Sequence, residues 1–256
     1  MFKHPNSRKT ITSSSILFQE AKRLGLNPRW ETDYGLFSVE SGNLQVKKDQ
    51  PTTRQFFFHT NLNLNGERAR FLTKNKHFTR LVLAEAGFKN ILFCLPISRL
   101  ELEQFFDQHQ PIVCKPLLGQ QSKEVVLIST KKQLNDCSLH LTFFEKFTQG
   151  VEHRCLVLQN EVVAVQRREL TPTKQKPWQR FYINLEPKKW EKKLVIEAKK
   201  IAQVFNLGWT GIDFLVEADG SFSVLEVNSA PGIVKIHYPD EGKKINVAKK
   251  IWNAVL

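Results

Sequence analysis

Apolar residues recur every three or four positions in some stretches of this chain and every second position in others. The two periods predict alternating helices and strands. The first helical stretch runs from Ser15, a capping residue, to Leu24 and stops at Gly25. Residues 37–39 and 44–46 read as short strands around Gly42. A helix starting at Thr73 or Asn75 runs through Ala86, with Phe78, Leu81, Val82 and Glu85 at helical spacing and Gly87 as its stop. Ser98-Arg99-Leu100-Glu101 has the form of a capping box, and Ile97 and Leu102 fit its hydrophobic staple. Short, partly β-branched runs at 112–114, 125–128, 141–147, 155–158 and 162–165 predict strands. Pro187 is placed to open a longer helix with Leu194, Ala198, Ile201 and Phe205 on one face and Gly208 after its end. Residues 245–255 read as a closing helix, and the polar, proline-punctuated stretch 171–189 as a loop. Strands and helices in both halves predict α+β lobes.

The alternation is clearest in GIDFLVEADGSFSVLEVNSAPG, from Gly211 to Gly232. Asp219-Gly220 is a two-residue hairpin signal. With those residues as the loop, Ala218 pairs with Ser221 and Asp213 lies opposite Glu226, with Asn228 on the same face. Facing carboxylates repel. A divalent cation removes that penalty, and two carboxylates plus an amide oxygen suit magnesium. The same alternation also describes an amphipathic hairpin whose acidic face is solvated.

Composition narrows the class. A chain of 256 residues can bury a core and hold one large domain or two lobes. No apolar run approaches the length of a membrane span, and the first residues carry no secretory apolar segment, so a cytoplasmic protein is expected. Cys94, Cys114, Cys137 and Cys155 form no CxxC pair, and buried thiols are expected. The net charge of +13 fits nucleic-acid binding as well as a site for ATP and acidic substrates.

Three further stretches offer chemistry. Lys115-Pro116 ends one strand, and Gly119-Gln120-Gln121-Ser122-Lys123 precedes the next, a loop able to cover phosphates. Glu145-Lys146-Phe147 ends another strand, followed by Gly150, Glu152 and Arg154, where backbone groups could meet an adenine. Arg168 closes VVAVQRR and could grip a carboxylate or phosphate in a bidentate way. Taken singly, each also reads as an ordinary turn, edge strand or solvated charge.

The order of these pieces resembles the ATP-grasp family. NKHFTRLVLAEAGF is similar to the family's lysine-bearing helix, IVCKPLLGQQSKEVVLI to its second-lysine strand and phosphate loop, and FFEKFTQGVEHRCLVLQNEVVAVQRR to its adenine hinge, ribose acid and following hairpin. GIDFLVEADGSFSVLEVNSAPGI resembles its metal hairpin. EAKRLGL, LAEAGF and HYPDEGKKINVAKKIWNAV look most like the cyanophycin synthetase and bifunctional glutathione synthetase branch. The ribosomal-protein glutamate ligases are close, sharing a segment like FYINL.

The resemblance implies an α+β ATP-grasp fold, two α/β lobes with the nucleotide between them. Residues 1–72 form a reduced N-terminal segment, 73–145 the small lobe with the phosphate loop, and 146–256 the lobe with the metal hairpin. It assigns Lys76 and Lys115 to the nucleotide phosphates, with Gly119, Gln120 and Ser122 covering them. Glu145 and the backbone near Phe147 are assigned to the adenine and Glu152 to the ribose. Asp213, Glu226 and Asn228 are assigned to magnesium, or manganese. Arg154 and Arg168 face the γ-phosphate and the carboxylate being activated. The implied activity joins a carboxylate to an amine through an acyl phosphate, with amino acids or short, including acidic, peptides as substrates and a homo-oligomer left open. The chain departs from the family pattern at Ser122 and Glu124, which replace loop glycines, and at Asn75, which replaces an aspartate. The altered loop keeps an ATP-binding but inactive module open as an alternative, and charge alone a nucleic-acid binder, for which no recognisable motif speaks.

Overall fold

The computed structural model describes residues 10–40, 54–118, 125–171 and 179–256. Contacts group them into two compact units. One takes the described residues of Met1–Gly66, Arg154–Gly211 and Ser229–Leu256; the other takes those of Glu67–His153 and Ile212–Asn228. A division at 73 and 146 follows the chain in order, whereas the contacts return Ile212–Asn228 to the company of Glu67–His153.

In the first unit the helix Ser13–Arg23 starts one turn earlier than its sequence suggests. Thr12, not Ser15, is the N-cap: its hydroxyl accepts the Ser15 N–H at 3.1 Å, and the Ser15 hydroxyl accepts the Thr12 N–H at 2.8 Å. Ser15 is therefore the inner member of the capping box. Ile16, Leu17 and Ala21 are buried with Val247, Ala248, Ile251, Trp252 and Val255 of the closing helix Val247–Val255, which Asn246 caps. The Trp252 indole N–H donates to Leu17 O at 2.9 Å. An antiparallel sheet of Arg29–Trp30, Leu36–Glu40 and Arg54–Phe58 adds Phe37, Val39 and Phe57 to the same core. Each such side chain contributes roughly 1.5–3 kcal/mol on burial. The stretch before residue 67 is thus integral to this unit rather than an appendage. The expected strand at 44–46 lies outside the described residues.

The strand Glu161–Thr171 pairs antiparallel with Gln179–Asn184, placing Arg168 opposite Tyr182. The stretch expected to be a loop over 171–189 therefore contains a strand, whose alternation was obscured by its arginine and glutamine. Pro187 opens only a 3-10 turn, Pro187–Lys189, closed by Trp190 N–H donating to Pro187 O at 3.2 Å. The helix proper is Lys192–Val204, with Leu194, Ala198 and Ile201 buried as expected. Gly208 follows that end, as expected. It lies so close to the preceding segment that a Cβ would come within 2.6 Å of Leu64 O.

In the second unit, helices Glu67–Lys74 and Lys76–Glu85 are separated by Asn75, whose Oδ1 accepts the Phe78 N–H at 3.1 Å. The helix expected from the spacing of Phe78, Leu81, Val82 and Glu85 is present, but its buried positions are Thr79, Arg80 and Leu83, with Phe78 and Val82 half-buried and Leu81 and Glu85 exposed. Four antiparallel strands follow in the order Phe93–Cys94, Thr142–Lys146, Ile112–Pro116 and Val126–Ile128. Helix Arg99–His109 buries Leu102 and Phe106 against Ile112, Ile128, Leu134 and Phe144. Ser98 caps it through the Glu101 N–H at 3.2 Å, but the Glu101 carboxylate accepts the Ile97 N–H at 2.9 Å instead of that of Ser98. Ile97 is 94% exposed, so the expected staple does not form. All four cysteines are thiols, Cys155 buried and the others half-buried; burial pushes Cys94 up to about 11 and Cys114 up to about 12.

Candidate functional site

The second unit gathers three cations around two carboxylates. Lys76 opens its helix, and its backbone N–H donates to Leu117 O at 3.1 Å, so the helix start lies against the end of the strand that carries Lys115. On that sheet Val113 is directly opposite Glu145, and Lys115, two residues along, reaches diagonally to form an ion pair with Glu145 Oε2. Glu145 is 2% exposed and Arg80 3%. The Arg80 Nε donates to Glu145 Oε1 at 2.9 Å. Its Nη1 and Nη2 donate to the carbonyls of Val224 at 2.7 Å and Leu225 at 2.8 Å. Burial pushes the Glu145 carboxyl up, but Arg80 and Lys115 outweigh it and hold the group below the usual carboxylate range.

Lys76 joins the same electrostatic cluster. Burial lowers its ammonium from the ordinary lysine value; Glu226 and Glu145 oppose that shift, while Lys115 and Arg80 add to it. Three cations against two carboxylates leave a net positive charge, an arrangement suited to a polyanion.

The expected acidic face needs one correction. Gly220 N–H donates to Glu217 O at 3.0 Å, and Glu217 N–H to Ser221 O at 2.8 Å. The loop between Trp209–Val216 and Phe222–Asn228 therefore holds Ala218, Asp219 and Gly220, three residues rather than two, with Gly220 at φ +79°. Glycine accepts that left-handed conformation without steric cost, and the extra residue is absorbed beside it. Glu217 rather than Ala218 pairs with Ser221, so the register that set Asp213 directly across from Glu226 does not follow from this turn. Asp213 is 2% exposed, Asn228 9%, and Glu226 half-buried. Among the described residues no group of three or more His, Cys, Asp or Glu side chains gathers as a metal site. Two carboxylates and an amide remain the set this hairpin offers.

The other expected residues are distributed as follows. Gly119, Gln120 and Ser122 lie outside the described residues. Phe147 is 42% exposed, and its N–H is taken by Pro111 O at 3.0 Å. That leaves its carbonyl, not its N–H, as a hinge group. Glu152 is half-buried near the start of Val151–Leu158. Arg154 and Arg168 belong to the first unit. Arg168 is buried, with its guanidinium 5.6 Å from the centre of the Tyr182 ring. Lys235 Nζ lies 5.1 Å from the same ring and binds Asp240 at 2.8 Å. Arg80 was not among the expected residues; its place four positions after Lys76, on the same helical face, is the one signal the sequence held.

Residues 73–255 match the family described as the RimK-like ATP-grasp domain. A probable alpha-L-glutamate ligase of Aeromonas salmonicida is 32% identical over 139 residues, which cover 48% of this chain and 44% of the relative. The matched region thus spans less than half the length of that curated relative. A bifunctional glutathione synthetase from Pasteurella multocida superposes with a TM-score of 0.63 at 14% identity, over 93% of this chain and 42% of that one. The ATP-grasp ligase PsnB, complexed with a phosphomimetic variant of its minimal precursor, Mg and ADP, gives 0.62 at 18% identity, over 75% and 60%. The family match over most of the chain, together with these shared folds, shows that the chain belongs to the RimK-like ATP-grasp family and has the ATP-grasp fold.

Proposed function

We propose that this chain binds ATP with a divalent metal and joins a carboxylate to an amine. The γ-phosphoryl group passes to a carboxylate oxygen, giving an acyl phosphate and ADP. The amine then attacks the carbonyl carbon, inorganic phosphate leaves, and the nitrogen loses a proton. The observation that carries the reading is the cluster of Lys76, Lys115 and Arg80 with Glu145 and Glu226 in a chain of this family.

In this reading Lys76 and Lys115 bind the phosphates, with Gly119, Gln120 and Ser122 over them. Glu145 and the backbone near Phe147 face the adenine, and Glu152 the ribose. Arg154 and Arg168 neutralise charge on the phosphoryl group and the activated carboxylate; one such preorganised donor is worth about 3 kcal/mol. Asp213, Glu226 and Asn228 present oxygen donors only, which is the donor chemistry of magnesium. The bound metal supplies charge neutralisation on the phosphates. Amino acids or short peptides, acidic ones included, fit the names of the relatives and the net charge of +13. The reading includes a cytoplasmic location, where thiols like these four stay reduced. No helix among the described residues is long and apolar enough to cross a membrane.

An ADP-release screen across the amino acids and short acidic peptides, with mass detection of products, tests the reading. The expected result is substrate-dependent ADP and a product whose mass is the two substrates less water. ATP binding without ADP from any pair supports the inactive module instead, and absence of ATP binding overturns the reading.

A further inference from the structure

We infer that Arg80 is a positioning residue: it is the standing counter-ion of Glu145, and so lets Lys115 leave Glu145 for the phosphates of a bound nucleotide. The inference rests on the reading of Lys115 as a phosphate-binding residue. Glu145 is buried with one cation on each oxygen, Arg80 on Oε1 and Lys115 on Oε2. The two cations are not equivalent. Arg80 is 3% exposed and is fixed at both ends, donating to the Val224 and Leu225 carbonyls as well as to Glu145. The Asn90 amide also holds the Arg80 carbonyl at 3.0 Å. The Lys115 side chain is 12% exposed and ends in a single ammonium on a flexible stem.

A buried carboxylate stripped of every counter-charge is strongly destabilised. If Lys115 were its sole partner, moving Lys115 onto a phosphate would leave Glu145 uncompensated, and nucleotide binding would carry that cost. With Arg80 in place the carboxylate keeps one full ionic partner, and Lys115 can be shared. Arg80 also grips the two carbonyls just ahead of Glu226. The strand that carries Glu226 is further tied to its own unit by Val224 N–H donating to Lys89 O at 3.0 Å. One guanidinium thus fixes Glu145 and the approach to Glu226 together.

The test is calorimetric ATP binding, with magnesium, to the whole chain and five variants. Arg80→Met should weaken ATP about ten- to hundred-fold, the loss expected when a charged hydrogen bond is denied to the nucleotide. Arg80→Lys, which keeps a charge beside Glu145, should stay near wild type. Glu145→Gln removes the carboxylate that traps Lys115, together with whatever Glu145 itself contributes to the adenine, so adding Arg80→Met to it should cost no further affinity. A brace that acted only through packing would be rescued by neither Arg80→Lys nor the Glu145→Gln background. The inference is overturned if Arg80→Met binds as wild type does, if a folded Arg80→Lys is as weak as Arg80→Met, or if the folded Arg80→Met/Glu145→Gln binds about tenfold or more weakly than Glu145→Gln alone. Should Arg80→Met fail to fold, the comparison of the double variant with Glu145→Gln carries the test alone, because both buried charges are gone from the double variant: equal affinity supports the inference and a further tenfold loss overturns it. The fifth variant, Lys115→Met, isolates the underlying reading. Unchanged affinity there removes Lys115 from the nucleotide site, and no ATP binding by wild type brings down the proposed function itself.

Discussion

The side chain of Asn65 holds the backbone of Trp209 on both sides. Its Nδ2 donates to Trp209 O at 2.7 Å, and its Oδ1 accepts the Trp209 N–H at 3.0 Å. The same Nδ2 donates to Ser229 O at 2.8 Å. Asn65 is 4% exposed and Trp209 fully buried. The amide therefore takes the place of strand partners for three backbone groups, and an unsatisfied buried group costs about 1–3 kcal/mol. Asn65→Ala is expected to lower stability by at least about 2 kcal/mol. Urea unfolding followed by tryptophan fluorescence checks this; a midpoint equal to wild type would show that solvent satisfies those groups.

His237 gives the first unit a dependence on pH. Its Nε2 accepts the Ala248 N–H at 3.2 Å, at the start of the closing helix. Burial lowers its pKa from the ordinary value, and Glu20 opposes the shift. The folded state therefore keeps the ring neutral where the unfolded chain, titrating near about 6.5, takes up a proton. Stability from this site is complete above that value and is lost as pH falls from it through the lowered folded value. His237→Gln cannot titrate, so its unfolding free energy should vary less between about pH 7.5 and about pH 5 than that of wild type. Equal slopes would remove His237 as the cause.

Much of the fold was legible where hydrophobic period and caps agree. Asn75 as a cap and the buried line of Leu194, Ala198 and Ile201 required only local patterns. The misreadings have a common physical origin. Arg80 is buried because Glu145 waits 65 positions away, and no local pattern shows that partner. It shifted the buried face of its helix away from the apolar spacing. Gln179–Asn184 became a strand because Glu161–Thr171 offers it an edge, although its own residues look like loop. The Asp219-Gly220 turn was placed correctly, but its length depended on where Gly220 takes positive φ, and one residue there resets the register of both strands. Residue types at the candidate site were readable from motif order; the ionic network that holds them was not.

Glu226 is the residue on which the metal reading turns most directly. Its carboxylate opposes the lowering that burial imposes on the Lys76 ammonium, so its charge acts on the cationic cluster. Glu226→Ala is expected to abolish ADP formation while leaving the unfolding curve close to that of wild type, because the side chain is half-buried and outside the apolar cores. Glu226→Gln keeps one oxygen donor but loses the second and the charge, so it should retain only weak activity that higher magnesium partly restores. Full activity in Glu226→Ala would exclude it from the metal set.

Lys115 separates a nucleotide role from a structural one. Lys115→Met keeps most of the stem and removes the ammonium, and Glu145 retains Arg80 as counter-ion. The fold should therefore survive with a modest loss of stability. ATP affinity should fall about ten- to hundred-fold, the worth of one charged hydrogen bond. A lysine that merely neutralised Glu145 predicts the reverse, a large stability loss with ATP binding unaltered in the folded fraction. Lys115→Met/Glu145→Gln sharpens the distinction: removing the carboxylate restores stability if the pair is structural but cannot restore ATP affinity if the ammonium binds phosphate. Calorimetry and urea unfolding on the single and double variants read the two quantities separately. Recovery of ATP binding in the double variant would place Lys115 in the scaffold rather than on the nucleotide.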